Sequence, residues 1–361
     1  MNKQIMAVER NFWKGKRVFL TGHTGFKGGW LALWLLDMGA DVYGYALKPP
    51  TEPNFFTVCS LPSQLAGSTI ADIRDGATLQ QTMQAGRPDI VFHLAAQPLV
   101  RYSYTAPVET YSVNVMGTVN LLEAVRQTNS VKAVVNVTTD KCYENREWLW
   151  PYRENEAMGG FDPYSSSKAC SELVTAAYRR SFLEPAGIHI ASARAGNVIG
   201  GGDWAADRLI PDFLKALDAQ QTLAIRFPKA TRPWQHVLEP LAGYLMLAQA
   251  LFEQGEAFSA PWNFGPEDGD ARPVQWIVEY LCAQLPGASW QCEASPRLHE
   301  ANTLKLDSSK AKSQLGWKPR WNLQTALGMT LNWHKAWQQG EEMALFSQAQ
   351  IHHYEASPKH T

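Results

Sequence analysis

Apolar positions along this chain repeat with two periods, and the alternation between them predicts the fold. Arg17–Thr21 (Arg-Val-Phe-Leu-Thr) is a short β-branched and aromatic run that stops at a glycine-rich turn. Over 27–38 the apolar residues Trp30, Leu31, Trp34, Leu35 and Met38 recur at helical spacing, and Gly39 closes that helix. Further apolar strands are expected at 41–47, 68–73, 89–94, 132–137 and 189–193, with helical stretches between most of them, notably 110–127 and 164–180. Strands alternating with helices predict an α/β fold: a Rossmann-type doubly wound parallel sheet, covered on both faces. After about residue 199 the pattern loosens. Gly200-Gly201-Gly202-Asp203-Trp204 reads as a loop, and the remainder mixes helices with turns rich in Pro and Trp. The expected division is a first domain over 1–198 and a second, smaller mixed α/β lobe over 199–361, with segments near 233–262 returning to the first. A cleft between two lobes is the natural place for a ligand.

The turn after the first strand makes that first domain a dinucleotide-binding one. In Gly22-x-x-Gly25-x-x-Gly28 the glycines follow a strand and open a helix. They permit a tight turn and let backbone amides approach a pyrophosphate, which the helix N-terminus favours electrostatically. Thr24, Phe26 and Lys27, between the glycines, join them as expected cofactor contacts. Asp72 and Ile73 close the third strand, where a carboxylate can accept from an adenine amino group. Leu94, Ala95 and Ala96 follow the fourth strand with small residues. Asn114, on the next helix, is placed to anchor that loop, and Thr138 ends the fifth strand. No acid follows the second strand, which runs out as Ala46-Leu47-Lys48-Pro49. An acid there usually holds the ribose hydroxyls of NAD. Lys48 either meets a 2′-phosphate or sits in solvent, so the residues themselves leave NAD and NADP both open.

Proton chemistry is expected at two other places. Tyr164 and Lys168 stand four apart on a helix and share a face. An ammonium beside a phenol favours the phenolate and lowers its pKa from about 10. Such a tyrosine can take a hydroxyl proton as hydride leaves the same carbon. Thr139 is placed to bond that hydroxyl, and Asp140 to act as general acid toward a leaving hydroxyl if burial raises its pKa. Lys141 serves as a base only if burial and cationic neighbours depress its ammonium, and Glu144 competes for that role. The bland alternative is Asp140 and Lys141 as a salt-bridged strand end.

Composition narrows the class further. The chain has 361 residues, 45% hydrophobic and 19% charged, with net charge −1, so no global field draws it to nucleic acid or an acidic membrane. No apolar run approaches the roughly 20 residues that span a bilayer. The polar N-terminal stretch lacks a signal-peptide core, so a cytoplasmic location is expected. Cys59, Cys142, Cys170, Cys282 and Cys292 form no Cys-x-x-Cys pair and no His cluster accompanies them, which predicts neither a metal site nor a disulfide framework. His352 and His353 lie in a polar tail ending Pro358-Lys359-His360-Thr361, expected to fray.

Longer motifs carry a resemblance. They are Gly-His-Thr-Gly-Phe-Lys-Gly at 22–28, Lys-Pro-Pro-Thr-Glu-Pro at 48–53, Ala-Gln-Pro-Leu-Val-Arg at 96–101, Thr-Asp-Lys-Cys-Tyr at 139–143 and Arg-Ala-Gly-Asn-Val-Ile-Gly-Gly-Gly-Asp-Trp at 194–204. With them the chain resembles the extended short-chain dehydrogenase/reductases and, within these, the nucleotide-sugar 4,6-dehydratases, nearest to the members that act on CDP-glucose. The likeness runs from Lys16 to about Trp337. It implies NAD as cofactor, a nucleotide-sugar substrate, and a cycle of C4 oxidation, water loss across C5 and C6, and hydride return to C6. It also implies substrate contacts at Gln97, Arg101, Asn197, Arg208 and Arg232, an arginine fork suiting a diphosphate. Trp234 is expected to fill core and His236 to be a structural hydrogen-bonder. Pairing through the helices at 110–127 and 164–180, as in family members, implies a homo-oligomer, a dimer or tetramer. The commoner dehydratase pattern is Thr-Asp-Glu, with the glutamate as C5 base. Lys141 stands at that place here, which leaves the base open and also resembles inverting dehydratases acting on UDP-N-acetylglucosamine. A nucleotide-sugar 4-epimerase shares the clamp and the Tyr-Lys pair but has no need of Asp140. A non-catalytic dinucleotide sensor has no need of Tyr164 or Lys168.

Overall fold

The computed structural model describes residues 7–293 and 303–359. The first six residues of the polar N-terminal stretch, and His360 and Thr361 of the tail, lie outside the described residues. One sheet holds seven strands: β1 (Arg17–Thr21), β2 (Asp41–Ala46), β3 (Gly67–Ile70), β4 (Ile90–His93), β5 (Ala133–Val137), β6 (His189–Ala195) and β7 (Pro261–Phe264). Their order is β3-β2-β1-β4-β5-β6-β7, and every neighbouring pair is parallel. This is the doubly wound arrangement expected from the alternating pattern. The strand order reverses between β1 and β4, which opens a crevice at their carboxyl ends.

Two periods of side-chain burial build the core. Val18 and Leu20 of β1 face one apolar layer and Phe19 the other, because successive residues of a strand point to opposite faces. The first layer holds α1 (Phe26–Asp37), and the second holds Leu79 and Met83 of α2 (Gly76–Gly86) with Leu121 and Val125 of α3 (Gly117–Arg126). β4 and β5 are buried at every position, as strands covered on both faces must be.

Several boundaries differ from the sequence expectation. The third strand stops at Ile70, and Asp72 and Ile73 lie in the turn beyond it, where the Asp72 carboxylate accepts from the Arg74 amide at 2.8 Å. The stretch expected as one helix over 110–127 is a short helix (Pro107–Tyr111), a widened π turn (Ser112–Met116) and then α3. α4 (Pro163–Tyr178) likewise runs into a π turn at Arg179–Leu183.

A second apolar cluster forms apart from the sheet. It gathers Ile210 and Phe213 of α5 (Leu209–Asp218), Ile225, Ile277, Leu281 and Leu327. From there the chain returns: α6 (Leu238–Gln254) packs on β5 and β6, and β7 adds to the sheet beside β6. After α7 (Leu323–Gln338) comes a helix where fraying was expected, α8 (Met343–Ala356). The cause is burial. Trp34 is inside on the far side of α1, its indole donates to Glu355 at 2.9 Å, and Ile351 and Tyr354 are buried against it. His352 lies 2.8 Å from the Asp37 carboxylate at the end of α1. A buried aliphatic side chain contributes roughly 1.5–3 kcal/mol, which holds the segment in place. Among the described residues no helix is long and apolar enough to cross a membrane.

Candidate active site

A cavity of about 1100 Å³ runs along the carboxyl ends of the strands into the second cluster. Ligand pockets commonly enclose roughly 300–1,000 Å³, so there is room for a dinucleotide and a second ligand together. At its base the glycines bring α1 against two strand ends. Gly22 has φ +78°, and a Cβ there would stand 2.8 Å from the Ala95 amide nitrogen. A Cβ on Gly28 would meet the Gly22 carbonyl oxygen at 2.0 Å. Gly25 is the N-cap of α1; neither it nor an acid in the first turn supplies a side-chain acceptor. Those first-turn amides are therefore free to face an anion. The Thr24 hydroxyl donates to the Leu47 carbonyl at 2.8 Å and ties the clamp to the end of β2. Thr21 Oγ1 lies 2.8 Å from His93 Nδ1 and accepts the Leu94 and Ala95 amides at 3.1 Å each, which fixes the crevice where the strand order reverses. Burial pushes His93 down to about 3, so it bonds as a neutral ring.

Ile73, Leu94, Ala95 and Ala96 form cavity wall. Asp72 lines it too, but its carboxylate is held by Arg74 at 2.5 Å and lies below the usual range mainly through that hydrogen bond. Gln97 and Asn114 are not among the lining residues. Asn114 Oδ1 accepts the Gln97 amide at 2.8 Å, and its Nδ2 donates to the Gln97 carbonyl at 3.1 Å and to Ser167 Oγ at 2.9 Å. The Gln97 side chain in turn bonds Leu99 and Thr110. Both residues hold the loop after β4 against α4.

At the catalytic end, Tyr164 is the second residue of α4, after Pro163 and an Asp162 N-cap that accepts the Ser165 amide at 2.9 Å. Thr139 and Asp140 leave the end of β5 beside it. Asp140 Oδ1 accepts from Thr139 Oγ1 at 3.0 Å, and Oδ2 is buried without a hydrogen-bond partner. Thr138, Thr139, Asp140, Lys141, Tyr164 and Lys168 all line the cavity. The expected drop in the tyrosine's pKa is not found. Burial pushes the Tyr164 phenol up to about 12, with a hydrogen bond to Thr139 opposing. Lys168 shares its helix face, but its Nζ donates to the Val137 carbonyl at 3.2 Å. Burial brings that ammonium down to about 8, with Glu172 pulling it back up. Behind them Glu172 and Arg194 form a buried pair at 2.8 Å.

Across the cavity the arginines are already paired. Arg101 meets Asp207 at 2.7 Å and Arg208 meets Asp203 at 2.8 Å. Arg226, which no motif singled out, lies 3.5 Å from Asp207 and also lines the cavity. It directly follows the short strand Leu223–Ile225, the one signal that could have found it. Arg232 is buried, and Asn197 presents a buried Oδ1 that has no hydrogen-bond partner. Trp234 is core, packed with Ile210 and Phe213, as expected. His236 sits between the rings of Trp30 and Trp321, its Nδ1 accepting the Leu238 amide at 3.3 Å.

Residues 19–263, from β1 into β7, match the family model described as GDP-mannose 4,6 dehydratase. The chain belongs to that family. A CDP-glucose 4,6-dehydratase of Salmonella typhimurium is 57% identical over 353 residues, covering 96% of this chain and 98% of the relative. A dTDP-glucose 4,6-dehydratase of Xanthomonas campestris is 26% identical over 89% of this chain and 94% of its own length. Among solved structures, a UDP-glucose-4-epimerase from Stenotrophomonas maltophila with bound NAD and formylated UDP-arabinopyranose aligns with TM-score 0.78 and 21% identity, over 90% of this chain and 99% of that one, a likeness of fold.

Against the family's strand-end motif, the residue after Asp140 is the point of departure. Lys141 is the middle residue of the 3-10 turn Asp140–Cys142, with its amide on Thr139 Oγ1 at 3.3 Å. Glu144, the competing base, has a side chain 56% exposed and turned to Arg146 at 3.4 Å. Lys27, expected among the cofactor contacts, has an ammonium on which the charges of Arg208, Lys168 and Asp140 bear.

Proposed function

We propose that this dehydratase family member converts CDP-glucose to CDP-4-keto-6-deoxyglucose, with NAD held and recycled in the cavity. The observation that carries the reading is the meeting of the glycine clamp, Tyr164 and Thr139-Asp140 on one cavity, in a chain 57% identical to a CDP-glucose 4,6-dehydratase. The clamp fits a dinucleotide: Gly22 and Gly28 have no room for a Cβ and its helix amides lack side-chain acceptors. When bound there, NAD would supply the acceptor for the C4 hydride and the donor that returns it to C6.

The chain's own groups handle the protons. Tyr164, whose phenol pKa burial raises, would take the O4 proton as hydride leaves C4 once the positive charge of a bound oxidised nicotinamide favours its phenolate, and Thr139 would orient that hydroxyl. Oxidation at C4 acidifies the C5 proton, because the carbanion at C5 conjugates with the new ketone. Asp140, with one oxygen bonded to Thr139 and the other without a partner, is placed to hand a proton to the departing C6 hydroxyl. Lys141, in the same turn as Asp140, and Glu144, which pairs with Arg146, both line the cavity and are the two bases available to C5. Arg101, Arg208, Arg226 and Arg232 are the cations available to the diphosphate, and Asn197 Oδ1 is a free acceptor for a ligand hydroxyl or amine.

Self-association and a cytoplasmic location belong to the same proposal. Val108, Tyr111 and Met116, on the short helix and the π turn before α3, and Leu173 and Phe182, on α4 and the π turn that follows it, are exposed, which supports pairing of these segments between copies. Light scattering on the purified protein gives the copy number. For the reaction, the protein is incubated with NAD and CDP-glucose, or with UDP-N-acetylglucosamine alongside. Loss of one water from CDP-glucose alone is the expected result. An unchanged mass with inverted C4, or no product, overturns the reading.

A further inference from the structure

Lys27 is a cation with no obvious counterpart. It lies in the first turn of α1, lines the cavity, and makes no hydrogen bond or ion pair among the described residues. Its nearest aromatic face is that of Tyr244 on α6, 5.7 Å from Nζ to the ring centroid. The other two cations at this end are compensated: Arg208 by Asp203 at 2.8 Å, and Lys168 by the field of Glu172 and the Val137 carbonyl. Asp140 is the anion that bears on Lys27, but not within ion-pair distance. The ammonium is therefore an unneutralised charge at the end of the cavity where Tyr164 stands.

Hydride chemistry gives such a charge a consequence. An oxidised nicotinamide ring carries one positive charge that the reduced ring lacks. The ring must lie near Tyr164 for hydride to leave the carbon whose hydroxyl proton that phenol takes. A cation nearby repels the oxidised form and leaves the reduced form untouched. We propose that Lys27 tunes the redox preference of the site, shifting it toward reduced cofactor and so drawing hydride from C4 and holding it through water loss. This rests on the reading of the cavity as a nicotinamide site. The charge is also titratable. Burial, with Arg208 and Lys168 against it and Asp140 for it, brings the Lys27 ammonium down to about 7, and Tyr164 and Tyr244 are the remaining titratable groups facing this cluster.

The test reads binding rather than turnover. Dissociation constants for NAD and NADH are measured by calorimetry on the wild-type protein, Lys27→Met and Lys27→Arg, from pH 6 to 8.5. In wild type the preference for NADH falls as pH rises and the ammonium discharges. Lys27→Met lowers that preference about tenfold at pH 6, the size of a single charge a few ångströms away in a partly shielded site, and removes its pH dependence. Lys27→Arg keeps the preference and makes it flat with pH. A ratio in Lys27→Met equal to wild type overturns the inference, as does an equal fall in both variants, which makes shape rather than charge the cause. A flat wild-type profile overturns it without recourse to any variant. If neither nucleotide binds the wild-type protein, it is the assignment of the cavity that fails.

Discussion

Removing the Glu172 carboxylate leaves a guanidinium stranded in the core. Glu172 accepts from Arg194 Nε at 2.9 Å and Nη2 at 2.8 Å, and also from the hydroxyls of Thr138 and Ser192. The two charged side chains are 5% and 2% exposed. Burial works against the Glu172 carboxylate, but Arg194 and the hydroxyls more than offset it and hold it below the usual range. Breaking a pair this deep by deleting one partner costs about 3–5 kcal/mol, because the remaining charge has neither water nor counterion. Glu172→Leu is expected near the middle, since Arg194 keeps only neutral acceptors, the Tyr143 hydroxyl at 2.8 Å and the Glu154 carbonyl at 3.1 Å. With a urea slope of roughly 3 kcal/mol/M, the unfolding midpoint drops by more than about 1 M. The double variant Glu172→Leu/Arg194→Met recovers most of this, because an apolar pair of similar volume is close to neutral. A single-variant loss under about 1 kcal/mol, or a double variant as weak as the summed singles, refutes the reasoning. Stability held through this pair is present above the ordinary carboxylate range. It is lost as pH falls through the lower folded value, as the unfolded chain takes up its proton first.

Other outcomes follow from the same geometry. Tyr164→Phe is expected to abolish the first hydride transfer, so no absorbance of reduced cofactor develops on mixing with CDP-glucose; retained activity removes Tyr164 as the base. Asp140→Asn keeps C4 oxidation and slows water loss by about a hundredfold or more, seen as reduced cofactor that accumulates; dehydration at the native rate removes Asp140 from that role. Glu239, buried under α8, accepts the Arg320 and Trp321 amides and the Tyr354 hydroxyl, and burial pushes its carboxyl up to about 7. Unfolded, the same carboxyl ionises near 4.5, so the folded state keeps a proton that the unfolded state has lost. Stability then falls as pH rises from about 4.5 to about 7 and levels off above; thermal melts of Glu239→Gln are expected to lose that slope.

How much of this was legible in the sequence depended on what each residue must touch. Six strands showed themselves because each is a short apolar run bounded by turn residues, and a parallel sheet buries both faces. β7 did not, because it carries Asn263 in its middle. That polar residue is fully buried, yet satisfied: its Nδ2 donates to the carbonyls of Tyr152 and Asp307, and its Oδ1 accepts from Tyr143 at 2.7 Å. Partners 44 to 120 positions away cannot be read from a local pattern. α8 hid for a related reason, since its histidines and glutamines read as a solvated tail until Trp34 is seen to need a cover. The spacing of Tyr164 and Lys168 was visible, but the direction of the phenol's shift was not. That direction is set by burial and by the Val137 carbonyl, which takes the ammonium that the spacing had assigned to the phenol.

The polar groups around the cavity divide by what they already hold. Thr21 with His93, Asn114 with Gln97 and Ser167, and Glu172 with Arg194 are mutually bonded, and they lie behind the wall rather than in it. Within the wall, Asp140 Oδ2 and Asn197 Oδ1 are buried with no hydrogen-bond partner, and the Lys27 ammonium has no anion in contact. A buried acceptor left unmade costs on the order of 1–3 kcal/mol, and a protein keeps such a group where a ligand completes it. The saturated network makes the site rigid, so that the few incomplete groups keep their places. Loosening the network should therefore damage catalysis before it damages the fold: a variant such as Asn114→Ala frees the loop after β4 while leaving both apolar layers intact.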